Sequence, residues 1–201
     1  MKKVVIIEDD FTIASIMQTH INALEGYTCD HVFYNPLDFI KSPVECDIVL
    51  LDIILPNMNG LDAIDKLLEI NSELSIIINS IKDDSDTIFK ALQKGAVGYI
   101  DKQSFAMNFQ EVFQSVENGG AYMTPKIARK VMNFFQNKKK ALNILTEREV
   151  EISTAILDGL SYKLIADRFN ISLDTVRSHI KNIYKKLKIN SKSELFNIFR
   201  S

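Results

Sequence analysis

Five short runs rich in β-branched residues, at 4–7, 27–33, 48–51, 74–78 and 97–100, recur along the first hundred residues, with stretches of helical spacing between them. Ile13, Ile16 and Met17 follow the first run, Leu61, Ile64, Leu67 and Leu68 the third, and Ile88, Ala91 and Leu92 the fourth. A last stretch, 105–116, sets Phe109, Val112, Phe113 and Val116 at i, i+3, i+4 and i+7 and stops at Gly119-Gly120. Strands that alternate with helices need crossover connections, so they pair in parallel and are covered on both faces. The pattern predicts a doubly wound α/β domain with a five-stranded parallel sheet over residues 1–120.

Beyond it the character changes. Thr124-Pro125 reads as an N-cap followed by proline at the first helical position, and the helix it opens carries Ile127, Val131 and Phe134 on one side. That helix is expected to run out at the polar, basic stretch 136–140, so residues 121–144 are assigned as a helical linker. From Leu145 onward the spacing is helical throughout: 149–157, 162–169, 173–187 with Ser172 as N-cap, and a fourth helix opened by the capping box of Ser191 and Glu194. Only Asn170-Ile171-Ser172 separates the second from the third. Residues 145–201 thus form a small all-α domain with the outline of helix-turn-helix.

Charge divides along the same line. Residues 1–136 hold 11 Lys/Arg against 19 Asp/Glu, and residues 137–201 hold 13 against 7. An acidic front and a basic back call for different partners, and the back suits a polyanion. Cys29 and Cys46 lie in or beside apolar strands without a CxxC pairing, which reads as two buried, reduced thiols. The N-terminus lacks a signal-peptide core and no apolar run reaches spanning length, so a cytoplasmic protein away from membranes is expected. The scattered His20, His31 and His179 argue against a structural zinc.

In an open α/β sheet the ligand crevice lies beyond the carboxyl ends of the strands, where strand order reverses. A flavodoxin-like order 2-1-3-4-5 makes the first and third strands neighbours there. Glu8 and Asp9 end the first and Asp52 ends the third, in IVLLDIILPNMNG. Three carboxylates so close must share protons, find cations or bind a metal, and an all-oxygen set suits Mg²⁺ or Mn²⁺. Ser80 ends the fourth strand and Lys102 follows the fifth, adding a hydroxyl and an ammonium. A carboxylate nucleophile with these companions fits transfer of a phosphoryl group onto Asp52.

Glu8-Asp9, the DxxxPxMxG run from Asp52 through Pro56 and Met58 to Gly60, Ser80, and Lys102 within GAVGYIDK together resemble a response-regulator receiver domain. The resemblance implies that Asp52 accepts phosphate from a sensor histidine kinase or a small phosphodonor. It implies Mg²⁺ held among Glu8, Asp9, Asp52 and the backbone carbonyl near Ile54, and a switch made of Ser80, Tyr99 and Lys102. Two positions depart from the usual pattern: Ile81 follows the switch hydroxyl where a small residue is common, and Gln103 follows the lysine. Ile81 is expected to narrow access to Asp52. Ile54 offers no polar atom to position a hydrolytic water, so a long-lived aspartyl phosphate is expected.

Within 173–187, Val176, Ile180, Ile183 and Leu187 form one apolar stripe, and Arg177, Lys181, Lys185 and Lys188 follow one residue round. A cationic ridge flanked by short Ser178 and Asn182 suits a helix in a major groove. LTEREVEI, DGLSYKLIADRFNIS and DTVRSHIKNIYKKLKINSKSEL resemble the LuxR-type helix-turn-helix of the NarL/FixJ class. That resemblance implies that Arg177, Ser178 and Lys181 face bases of double-stranded DNA, while Lys163, Thr175, His179 and Lys185 hold phosphates. Glu149 and Glu151 read as structural ion-pair partners, and Ser153 stands where leucine is usual. The expectation is a two-domain, phosphorylation-controlled transcription regulator, a homodimer when active, with no independent substrate turnover. The alternative is a DNA-binding regulator whose receiver serves only as a dimerisation platform. A phosphohydrolase of the haloacid dehalogenase type would need a second acid at position 54 and would leave the basic domain unused.

Overall fold

The computed structural model describes residues 1–103 and 108–199, with all of their side chains except those of 137–142 and 197. The Cα positions divide the chain into two compact units, residues 1–129 and 130–201.

The first unit alternates β1 (Lys2–Ile7), α1 (Phe11–Asn22), β2 (Tyr27–Phe33), α2 (Pro36–Lys41), β3 (Ile48–Leu51), α3 (Gly60–Ile70), β4 (Ser75–Ser80), α4 (Ser85–Gln93), β5 (Gly98–Asp101), α5 (Phe109–Glu117) and β6 (Tyr122–Met123), and enters α6 (Pro125–Ile144). The strands are parallel in the order β2-β1-β3-β4-β5-β6. Val4, Ile6, Ile48, Leu50, Ile77 and Ile100 cluster with Met17 and Ile21 of α1 and Phe109 and Phe113 of α5. The residues alternating with them, Val5, Ile7, Val49, Leu51, Ile76 and Ile78, point to the other face and are just as buried. Burial on both faces is why the strands read as unbroken apolar runs.

Two expectations need correction, and one helix had no counterpart among them. The sheet has six strands, not five: Gly98 and Tyr99 pair with Tyr122 and Met123. A two-residue strand is too short to show any periodicity in sequence. The crossover between β2 and β3 holds the short α2, whose six residues bury Pro36 and Phe39 but span too few turns to show a period in sequence; Asn35 caps it, its Oδ1 accepting from the Asp38 N–H, with Pro36 opening the helix. And α6 does not run out at 136–140 but continues to Ile144, because lysine is a good helix former whatever its charge. Of the stretch expected at 105–116, residues 105–107 lie outside the described residues; α5 opens at Phe109 behind an Asn108 cap.

The second unit holds the rest of α6 and α7 (Glu147–Leu157), α8 (Tyr162–Phe169), α9 (Leu173–Leu187) and α10 (Lys192–Phe199). Thr146 and Glu149 cap α7 reciprocally, and Ser161 and Ser172 cap α8 and α9. Between α8 and α9 the chain reverses through Asn170 at φ 51°, a left-handed cap that asparagine tolerates. Ile152, Ile156, Ile165, Val176, Ile180, Ile183 and Leu195 form its core. Ser153 is buried there because its hydroxyl donates to the Glu149 carbonyl at 2.7 Å. Among the described residues no helix is long and apolar enough to cross a membrane.

Candidate functional site

Parallel pairing of β1 with β3 brings Ile7 level with Leu51, so Glu8 and Asp52, one residue further on, emerge side by side. Main-chain bonds hold both: the Glu8 N–H donates to the Phe33 carbonyl and the Asp52 N–H to the Ile7 carbonyl. On the far side β4 and β5 end together, with Ser80 opposite Asp101, and the Lys102 N–H donates to the Ser80 carbonyl at 3.1 Å. Strand register alone therefore gathers residues from four parts of the sequence.

Asp52 is buried. Its Oδ1 accepts from the N–H groups of Ile53 at 2.6 Å and Ile54 at 3.2 Å, and its Oδ2 accepts from Lys102 Nζ at 2.7 Å. The same Nζ donates to Glu8 Oε1 at 2.8 Å and stands 2.6 Å from Oε2, which accepts no well-formed hydrogen bond. Burial raises the pKa of Glu8, against the pull of Lys102 and with help from the Asp52 charge. Burial works to lower the pKa of Lys102, but its bonds to Asp52 and Glu8 outweigh that and raise it. The ammonium is thus firmly charged between two acids.

One oxygen from each of Glu8, Asp9 and Asp52 lies within 4.8 Å of the others. Oxygens sharing one octahedral Mg²⁺ stand about 3–4 Å apart, so a slight closure would fit this set to the ion. Asp9 is exposed, and its carboxylate has no hydrogen-bond or ion-pair partner among the described residues, which leaves it available. Ser80 is buried, its Oγ accepting from the Lys82 N–H at 3.3 Å. Tyr99 is wholly buried, and its hydroxyl donates to the Lys82 carbonyl. Ile81 is 55% exposed and Ile54 43%, so both present apolar surface at the crevice end of the sheet.

In the second unit, Val176, Ile180 and Ile183 bury one side of α9, and the polar residues take the other. Thr175, Arg177, Ser178, Lys181 and Lys185 are exposed along α9, Lys163 is exposed on α8, and His179 is half-buried. Glu149 and Glu151 are ion-pair partners, of Lys186 at 2.6 Å and Arg148 at 2.9 Å. Two tyrosines, Tyr162 and Tyr184, stand beside the cationic ridge.

Residues 4–116 match the response regulator receiver domain family, and residues 143–199 match the luxR family of bacterial regulatory proteins. The chain belongs to the response-regulator family. The nitrate/nitrite response regulator NarL of Escherichia coli K12 is 32% identical over 77% of this chain and 74% of its own length. The transcriptional regulatory protein YdfI of Bacillus subtilis 168 is 30% identical over 98% and 95%. A solved structure of the Salmonella typhimurium response regulator RcsB superposes with a TM-score of 0.70 at 18% identity, covering 98% of both chains, and so shares the fold.

This response regulator therefore combines a receiver with a luxR-type DNA-binding helix-turn-helix and is a transcription regulator. The first unit also contains a cluster that the sequence did not announce. Lys126, in the first turn of α6, lies 2.8 Å from Asp83 Oδ2 and 2.8 Å from the buried Asp101 Oδ2. No local spacing announces a pairing between residues 25 and 43 apart; the nearest clue was an acid, Asp101, inside the apolar GYIDK run.

Proposed function

We propose that Asp52 of this response regulator accepts a phosphoryl group from the phosphohistidine of a sensor histidine kinase or from a small phosphodonor, and that this controls dimerisation and DNA binding. One observation carries the reading: the Asp52 carboxylate is held at a strand end by an ammonium and two main-chain N–H groups, with two further carboxylates beside it. A nucleophile whose orientation is already set loses little freedom on reaching the transition state.

In the transfer, an Asp52 oxygen bonds to phosphorus as the bond from phosphorus to the donor imidazole nitrogen breaks. The nitrogen keeps the bonding pair and takes up a proton. The Lys102 ammonium offsets charge on the phosphoryl oxygens, and the Ser80 hydroxyl supplies a second donor as Tyr99 packs behind it. Mg²⁺ bound by Glu8, Asp9, Asp52 and the Ile54 carbonyl would supply positive charge opposite the transferring oxygens. No independent substrate turnover belongs to this scheme. We assign the receiver function to residues 1–120, the link to 121–144 and DNA binding to 145–201.

On the DNA side, Arg177, Ser178 and Lys181 read bases, and Lys163, Thr175, His179 and Lys185 hold phosphates. One recognition helix provides limited contact, so a homodimer on paired half-sites is the DNA-bound species. A DNA target and two buried thiols fit a cytoplasmic protein. The test is DNA affinity at fixed salt, on sites selected from a random pool, with and without phosphodonor and Mg²⁺, for wild type and Asp52→Asn. Tighter binding by phosphorylated wild type alone is the expected result. Equal binding by both proteins in both conditions would make the receiver a dimerisation platform instead.

A further inference from the structure

The Lys126 ammonium, in the first turn of α6, bridges two carboxylates that differ in kind. Asp101 closes β5 with its side chain 3% exposed, and Asp83 stands in the loop between β4 and α4 with its side chain 30% exposed. Both lie 2.8 Å from Nζ. Bonds to Asp101 and then to Asp83 raise the pKa of Lys126, so the bridge stays charged at neutral pH. The main chain fixes the root of α6 against β5: the Thr124 N–H donates to the Tyr99 carbonyl, its Oγ1 accepts from the Asp101 N–H, and its carbonyl accepts from the Ala128 N–H within the helix.

The Asp83 arm begins at the switch residues. Lys82, one residue earlier, is held by both of them: its N–H donates to Ser80 Oγ at 3.3 Å, a long bond, and its carbonyl accepts from the Tyr99 hydroxyl. A Ser80 hydroxyl that turns to a phosphoryl oxygen on Asp52 gives up that N–H, and Asp83 is the next residue along the loop. Of the two acids, Asp83 is the one that can let go. A buried carboxylate stripped of its cation is costly, so Asp101 keeps Lys126, whereas water can solvate the partly exposed Asp83.

We propose that Lys126 is a releasable tether, which holds the first turn of α6 to the β4–α4 loop while Asp52 is unmodified and loses Asp83 when Asp52 is phosphorylated. α6 runs on to Ile144, so a change at its first turn enters the helix that leads into the second unit. The proposal rests on the phosphorylation reading and deepens it, naming the contact through which the loop beyond Ser80 acts on that helix. A contact made only in the resting arrangement stabilises that arrangement, so its removal favours the active one and DNA binding with it.

The experiment measures affinity of the full chain at fixed salt for a duplex selected from a random pool, with and without phosphodonor and Mg²⁺. Asp83→Asn removes one arm and keeps its shape. Asp86→Asn makes the same charge change three residues on, at an exposed pair with Lys90. Without phosphodonor, Asp83→Asn should bind about two- to fivefold tighter than wild type, the range of one partly exposed ion pair. With phosphodonor the two should bind alike, and Asp86→Asn should match wild type throughout. In a Lys126→Gln background, Asp83→Asn should change nothing, since its effect runs through the ammonium. Wild-type affinity of unphosphorylated Asp83→Asn, a gain that persists after phosphorylation, or an equal gain in Asp86→Asn overturns the tether while the phosphorylation reading stands. Wild-type binding that ignores the phosphodonor overturns both.

Discussion

Gly60 packs against the main chain of Asp52 so closely that a Cβ built on it would stand 2.0 Å from the Asp52 carbonyl oxygen. The Gly60 N–H also donates to the Ile53 carbonyl at 2.9 Å. The glycine that ends DxxxPxMxG thus needs no unusual dihedral; it is there because the start of α3 lies against the backbone of Asp52.

Gly60→Ala is therefore expected to push the β3–α3 loop away and to slow phosphorylation of Asp52 at least tenfold, read by phosphoprotein gel. Asn59→Ala removes the α3 cap, whose Oδ1 accepts from the Leu61 N–H, and should cost about 1 kcal/mol of stability. Phosphorylation at an undiminished rate in Gly60→Ala would show that the loop absorbs the methyl group.

Ile54 lies two residues past Asp52 and shows an apolar side chain at the mouth of the crevice. An asparagine there could hold a water near the acyl phosphate. Phosphorylated Ile54→Asn is expected to decay several-fold faster than wild type; decay at the wild-type rate would remove this residue from the control of phosphate lifetime.

Acid should loosen the helix-turn-helix unit through Glu149. Burial works to raise its pKa, but the hydrogen bonds from Lys186 and Thr146 prevail and hold it below the ordinary 4.5. A lowered folded pKa contributes stability that is full above 4.5 and disappears as pH falls through the folded value. Thermal melts should show wild type ahead of Glu149→Gln at pH 6, with the gap closing as the pH drops below 4.5. A gap that stays constant down to pH 2 would contradict this linkage.

Burial pushes the Cys29 thiol up to about 12 and the Cys46 thiol up to about 11, with small further contributions from Asp30 and Asp47. Neither forms much thiolate at neutral pH. Alkylation of the folded protein at pH 7.5 should leave both unlabelled, and labelling should follow the unfolding curve in denaturant. Rapid modification of either in the native state would place it in an opening segment.

The sheet was legible because burial on both faces writes itself as runs such as Ile48–Leu51, and the crevice because acids ending those runs have no place in a core. Glu8, Asp52 and Lys102 could be joined on paper, since parallel register and strand order fix which ends are neighbours. The pairing of Lys126 with Asp83 and Asp101 could not, as it depends on where α6 begins relative to the end of β5. Likewise the lysines of 138–140 suggested a break in a helix that continues to Ile144, since charge marks solvent exposure and not backbone conformation.

Thr124 carries the short pairing of β6 with β5 to the end of β5. Its N–H donates to the Tyr99 carbonyl at 3.2 Å, and its Oγ1 accepts from the Asp101 N–H at 3.4 Å, where the short β6 has already ended. An open row of such groups is a template onto which another polypeptide can crystallise as a further strand. With the two residues of β6 and then Thr124 occupying the margin of β5, that strand offers no open row to an incoming chain, and what is left at this edge is too short to template one.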